Sequence, residues 1–214
     1  MLIINADDYG YDPSYDQGIV ESARAGAIDG AGAMVMRDGL DPGPLEGTGI
    51  AVGLHLELGR AGLAEQVALF EDAFGREPEY LDGHHHCHAR GRPAVEVANL
   101  ARERGWPVRS VDARHRRLLR CKGVATADRL VGRMDESEDV LPDEIRAALR
   151  GEGMGDGVLE WVVHPGRAAR DGRSSYDAGR EEDLRVLLEL AEEPRLRPLR
   201  TSWSERRIPR PDAE

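Results

Sequence analysis

Short apolar runs rich in β-branched residues alternate along the chain with longer segments whose apolar positions recur at helical spacing. The short runs fall at residues 2–6, 31–36, 50–56, 79–84, 108–111, around Leu130, and at 158–163 and 199–203. Helical spacing occupies 13–25, 63–74, 93–104, 142–150 and 180–190. Several of these segments carry a proline near the start (Pro13, Pro93, Pro142) and a glycine just past the end (Gly26, Gly75, Gly105, Gly151), which is how helices are opened and closed. The alternation predicts an α/β fold with seven or eight mainly parallel strands in a sheet or barrel.

The 214 residues suffice for one domain that buries a core around a concave site. We assign residues 1–204 to it. The stretch 205–214, with Arg206, Arg207, Pro209, Arg210 and Pro211, reads as a flexible tail. Neither an internal repeat nor a low-complexity segment interrupts the chain.

A formal net charge of -11 leaves no basic field for holding a polyanion, so nucleic acid is excluded as a partner class. Lys122 is the only lysine, and the remaining positive charge is arginine, whose guanidinium suits paired and buried ionic roles. Cys87 and Cys121 lack metal-ligand spacing and a secretory context, which predicts reduced thiols. The first residues carry neither a basic leader nor a long apolar run, and no window reaches membrane-spanning length. The expectation is a cytoplasmic protein with no membrane partner.

Chemically suggestive residues follow the apolar runs, where the strand ends of a βα fold place catalytic groups. Asp7 and Asp8 follow the first run, His55 and His84 end the third and fourth, and His164 follows Val162-Val163. Six of the seven histidines fall in these blocks, and His115 stands apart. Adjacent carboxylates repel, which a shared cation resolves: one ligates while the other takes a proton from an activated water. The same Asp-Asp-Tyr-Gly stretch could instead cap a turn. His55 and His164 suit a ligand and an acid–base group, or equally hydrogen-bonded core histidines.

Two conformations are open to Asp82-Gly83-His84-His85-His86-Cys87-His88. Extended, it puts Asp82, His84 and His86 on one face. Helical beyond the strand, it pairs His84 with His88. Cys87 reads as a small buried apolar residue.

In order, Asn5-Ala6-Asp7-Asp8-Tyr9-Gly10, Gly53-Leu54-His55-Leu56, Leu81-Asp82-Gly83-His84-His85-His86-Cys87-His88 and His164-Pro165 resemble the blocks of the YdjC-like (ChbG-type) carbohydrate deacetylase family. The resemblance covers most of the chain. It implies a distorted (β/α) barrel and a divalent metal ion, Mg2+ in the first place and Zn2+ or another transition metal as alternatives. The ligands would be Asp8, His55 and His84, with Asp7 as general base. The implied reaction removes acetyl groups from N-acetylated sugars or oligosaccharides by attack of activated water. His164 is the candidate for protonating the leaving amine, and His86, His88 and Arg109 for binding substrate or supporting the metal ligands. Two features depart from the family pattern: Gly83 stands where a serine is usual, and the segment between Leu56 and Leu63 is short. That shortening keeps a non-catalytic sugar- or metal-binding barrel in view, along with a metallohydrolase of another ester or phosphoester. Related barrels often associate, so a homo-oligomer is a further expectation.

Overall fold

The structure, a computed structural model, describes residues 1–133, 139–167 and 176–208. Six strands, β1 (Leu2–Tyr9), β2 (Gly30–Ala33), β3 (Ala51–Leu56), β4 (Leu81–Gly83), β5 (Arg129–Val131) and β6 (Leu159–Val163), form one all-parallel sheet in the order β4-β3-β2-β1-β6-β5. Helices α1 (Pro13–Arg24), α2 (Leu63–Phe74), α3 (Gly91–Arg104), α4 (Ala113–Cys121), α5 (Asp143–Leu149) and α6 (Asp177–Leu190) run between and after them. Strands β1, β3, β4 and β6 are buried along their length, as a parallel sheet covered by helices requires.

Caps and breakers set the helix ends much as their residues predict. Asp12 accepts a hydrogen bond from the Ser14 N–H at the start of α1, and Pro13 fills its first turn. Gly75 and Gly105 end α2 and α3 in the left-handed conformation.

The sheet curls. Residues 107–109 run alongside edge strand β4 and reach the segment that precedes β5: the Leu81 N–H donates to Pro107 O at 2.9 Å, Arg109 N–H to Leu81 O at 3.0 Å, and Val108 N–H to Ala125 O at 2.9 Å. Seven or eight strands were expected, and the described residues hold six. The segments expected at 108–111 and 199–203 appear as single parallel bridges, Leu81 with Val108 and Leu2 with Arg200. Pro107 has no N–H with which to extend the first, and a short 3-10 turn at Arg197–Leu199 consumes the approach to the second.

No helix among the described residues is long and apolar enough to cross a membrane. Of the expected tail, Ser204–Arg206 forms a 3-10 turn and the Ile208 N–H reaches Gly105 O at 3.2 Å. Residues 209–214 lie outside the described residues.

Small residues in β2 and β3 make room inside the curl. A Cβ on Gly32 would meet His55 Cβ at 3.2 Å and Asp82 Oδ1 at 3.3 Å. One on Gly53 would fall inside the contact envelope of the Tyr80 ring, which stacks on Trp203 at 5.2 Å between centroids. We expect Gly53→Ala to overpack this pair at a cost of about 1–3 kcal/mol. By thermal denaturation that is a melting temperature lowered by roughly 2–12 °C for a chain of this size. A midpoint within a degree of wild type would show that Tyr80 moves aside freely.

Candidate active site

A cavity of about 570 Å³ opens at the C-terminal ends of the strands. Asp7 and Asp8 enter it from β1, His55 from β3, His84, His85 and His86 from just past β4, and His164 from just past β6. Tyr11, Tyr176 and Arg180 complete much of the wall.

Consecutive strand residues normally face opposite ways, yet Asp7 and Asp8 both line this cavity. The register between β1 and β2 breaks between Ala6 and Tyr9, and Asp8 takes φ 74°, in the left-handed region. The bulge turns the second carboxylate toward the first. His85 and His86 have φ 50° and 57° and are the only other non-glycine residues described with positive φ. All three line the cavity, so the strained backbone is confined to it.

Neither conformation considered for the histidine-rich segment is adopted. The strand stops at Gly83, and His84–Ala89 makes short 3-10 turns kinked at His85 and His86. As a result His84, His85 and His86 face the cavity, whereas Asp82 and His88 lie buried. His88 Nε2 pairs with Arg109 O at 3.0 Å and its ring meets that of His115 at 5.4 Å between centroids. His88 is thus a support beneath the site and makes no part of the cavity wall. Cys87 is half-buried and donates to Leu56 O, in keeping with its structural reading.

Two carboxylates and two arginines are paired off. Asp7 is gripped on both oxygens by Arg109, Nη1 to Oδ2 at 2.6 Å and Nη2 to Oδ1 at 2.7 Å. Burial alone would raise the Asp7 pKa, but the Arg109 guanidinium and then His55 hold it well below the usual carboxylate range. Asp8 splits its oxygens: Oδ1 lies 3.0 Å from His84 Nδ1 and 3.5 Å from His55 Nε2, and Oδ2 accepts from Arg180 Nη2 at 2.6 Å. Its pKa too falls well below the ordinary value, with His84 and Arg180 overcoming burial.

His55 places its other nitrogen, Nδ1, 2.8 Å from Asp82 Oδ1. Burial would lower the His55 pKa, yet Asp82 and Asp7 push it up to about 9. Burial lowers His86 to about 4, with Arg109 adding to the effect, and lowers His164 as well, so both rings are neutral near pH 7. The His164 backbone N–H donates to Asp183 Oδ2 at 2.8 Å, and its ring meets Tyr176 edge-on.

One donor atom from each of Asp8, His55 and His84 lies within 4.8 Å of the others, and the same holds for Asp7, His55 and Asp82. The second group is buried against the Arg109 guanidinium, whose charge competes with a cation there. The first faces the cavity. Its set of one carboxylate and two imidazoles suits a divalent cation, and the Asp82–His55 pair is the arrangement that orients a ligating histidine. The surrounding buried charge fits as well. Among the described residues, Asp7, Asp8, Asp82 and Glu160 form ion pairs with two arginines, Arg109 and Arg180, a deficit of two positive charges within this cluster when the histidines are neutral.

Asp82, Glu160 and Arg180 had no assigned role in the sequence reading. Asp82 sits two residues before His84, a visible signal. The part of Glu160 follows from the strand order, and that of Arg180 from the packing of α6 over the strand ends.

A model of the YdjC-like protein family matches residues 1–63 and 59–193. The chitooligosaccharide deacetylase of Enterobacter sp. (strain 638) is 29% identical over 87% of this chain and 90% of its own length. That of Citrobacter koseri is 34% identical over 51% and 58%. Among solved structures, a protein of Enterococcus faecalis V583, provisionally described as a cellobiose-phosphate cleavage protein, superposes with a TM-score of 0.78 at 21% identity, over 97% of this chain and 98% of that one. The lactam utilization protein of Thermus thermophilus gives 0.54 at 18%, over 92% and 96%. At these identities the two structures speak for the fold alone.

Glu160 offers a test of the buried charge. Burial raises its pKa to about 7, with Asp82 and Asp7 adding to the rise against Arg109. A carboxyl whose folded pKa exceeds its unfolded value holds a proton in the folded state that the unfolded chain has already lost, so its contribution to stability falls as pH rises from about 4.5 to about 7. Urea titrations across this range should show Glu160→Gln gaining on wild type and then levelling off above pH 7. A constant difference between the two proteins would mean that Glu160 stays ionised throughout.

Proposed function

From the membership of this chain in the YdjC-like protein family, to which it belongs, and from the geometry at its strand ends, we propose that it is a metal-dependent carbohydrate deacetylase acting on N-acetylated sugars or oligosaccharides. The observation that carries the reading is the pairing of a cavity-facing Asp8-His55-His84 triad with an adjacent, separately held Asp7. A divalent cation bound by that triad would polarise the acyl carbonyl and lower the pKa of a water beside it. Magnesium is our first assignment, with zinc or another transition metal as the alternative.

The chain's own groups supply the rest. Asp7 is ionised and fixed in direction: Oδ1 accepts from both Arg109 and Asn5 Nδ2, at 3.1 Å, which leaves the spare lone pair on Oδ2. It takes the proton as water adds to the carbonyl carbon. Held so far below the usual range, it is a weak base, which favours passing that proton on at once. His164 is neutral in its buried setting and relays a proton to the departing nitrogen after gaining one. Water and the amide thereby become acetate and an amine. Asp82 fixes the ring direction of His55. His86 faces the cavity and is our candidate for hydrogen-bonding the sugar.

Acetate release from N-acetylated mono- and oligosaccharides, measured after adding magnesium, zinc, manganese or cobalt to metal-free protein, tests the reading directly. Asp7→Asn should lower kcat by ~10²–10⁴-fold while metal content stays near that of wild type. Asp8→Ala and His84→Ala should lose the metal, as read by elemental analysis after gel filtration. A fully active Asp7→Asn enzyme would exclude Asp7 as the base.

The support given to His55 leads to a separate expectation. Asp82→Ala should weaken metal affinity about 10–100-fold by calorimetric titration, the usual cost of removing a ligand's orienting partner. Unchanged affinity would show that His55 does not bind metal through the nitrogen opposite Asp82.

A further inference from the structure

The two arginines that hold Asp7 and Asp8 are used unequally. Arg109 spends its whole fork: Nε donates to Glu160 Oε1 at 2.7 Å, Nη1 and Nη2 grip Asp7, and Asp82 Oδ2 lies 3.0 Å from Nη2. Arg180, from the first turn of α6, is just as deeply buried at 2% exposure. It donates only Nη2, to Asp8, and leaves Nε and Nη1 without a hydrogen-bond partner among the described residues.

Arg180 is held in a built slot. Its guanidinium carbon lies 3.6 Å from the centroid of the Tyr15 ring on α1. Gly166 packs along its aliphatic stem, where an added Cβ would meet Arg180 Cδ at 3.2 Å, and the Gly166 N–H donates to the Arg180 carbonyl at 3.1 Å. The side chain nonetheless lines the cavity shared by Asp7, Asp8 and His164. Charged N–H groups kept from water without an acceptor are costly, and native structures hold them where something else completes the pairing.

We propose that Arg180 is a catalytic residue whose guanidinium donates to the acyl oxygen of the substrate. The inference rests on the deacetylase reading. As the water oxygen bonds to the carbonyl carbon, the C=O π pair moves onto that oxygen, and the Arg180 donors meet the new charge. When the carbonyl re-forms, the C–N bond breaks, the proton taken from water ends on the amine, and acetate is left facing the same guanidinium. A sugar hydroxyl would be a poorer match. It stays neutral throughout, whereas charge-assisted bonds strengthen as the acyl oxygen becomes anionic.

Arg180→Gln and Arg180→Lys, prepared as metal-loaded enzyme, test this. For Arg180→Gln we expect kcat to fall by about 10²–10³-fold with KM little changed, and for Arg180→Lys a smaller loss. Metal affinity by calorimetry should be retained or tightened, because a positive charge beside Asp8 has gone. Acetate added as a probe should bind the Gln variant at least about tenfold more weakly than wild type. An unchanged kcat, or a loss that tracks weaker metal binding, overturns the proposal and leaves Arg180 as a positioning residue for Asp8. If Arg180→Gln fails to fold by circular dichroism, Arg180→Lys carries the comparison. Should wild type release no acetate from any N-acetylated sugar, the deacetylase reading fails by itself. The acetate titrations then decide this inference, and equal binding by wild type and variants overturns it.

Discussion

The guanidinium of Arg109 lies wholly out of water among carboxylates drawn from three strands: Asp7 from β1, Asp82 from β4 and Glu160 from β6. Those strands are not all neighbours in the sheet, so one planar fork can reach them together only if the sheet curls around it. Arg109 itself belongs to the segment that runs beside edge strand β4. Replacing such a buried ionic cluster by apolar side chains often costs nothing in stability, so its value here lies in geometry. It fixes the direction of Asp7, and it engages the oxygen of Asp82 that does not face His55. Losing the guanidinium would leave three carboxylates uncompensated in the interior.

Backbone strain is concentrated in the same place. A bulge with Asp8 in the left-handed region brings two successive side chains to one side of β1, and left-handed His85 and His86 swing three successive histidines toward the cavity. Each such residue costs on the order of 1–3 kcal/mol, which the fully buried strands and their helices have to offset. Strands β2 and β3 contribute by what they lack. Glycines there leave the space that His55, Asp82 and Tyr80 occupy.

Local signals carried much of this to the sequence level. Helix boundaries were legible because proline and glycine act within a few residues of where they stand, as Pro13, Gly75 and Gly105 do. Strand ends were legible because apolar runs stop at Asp7, His55, His84 and His164, and the fold gathers all four at one cavity. Helix α4 escaped because its nine residues, Ala-Arg-His-Arg-Arg-Leu-Leu-Arg-Cys, show no recurring apolar stripe, although Asp112 caps it by accepting from the His115 N–H. The histidine-rich segment was unreadable for another reason. Its conformation combines a strand end with two left-handed residues, and no periodicity describes that. His115, which seemed isolated, is brought onto His88 by α4. The partnerships of Arg109 with Glu160 and of Arg180 with Asp8 depend on tertiary packing between elements far apart in the chain and leave no local trace.

Asp7 and Asp8 are the same residue at adjacent positions, and their division of labour comes from what surrounds them. Both oxygens of Asp7 already face a guanidinium, so a cation would have to compete with Arg109 for them, while a proton needs only a spare lone pair. Asp8 keeps Oδ1 turned toward two imidazoles and gives only Oδ2 to Arg180. The first environment suits a base and the second a ligand. Charge leads to the same assignment. Without a cation, the deficit around the site is met by protons, one favoured on His55, whose pKa rises to about 9, and one on Glu160, at about 7. A divalent ion at Asp8, His55 and His84 would supply both charges at once and release His55 to ligate as a neutral ring. On the proposed reading the buried carboxylates would favour a doubly charged guest at the triad, and Arg180, which gives Asp8 a single hydrogen bond, would be left to face the substrate.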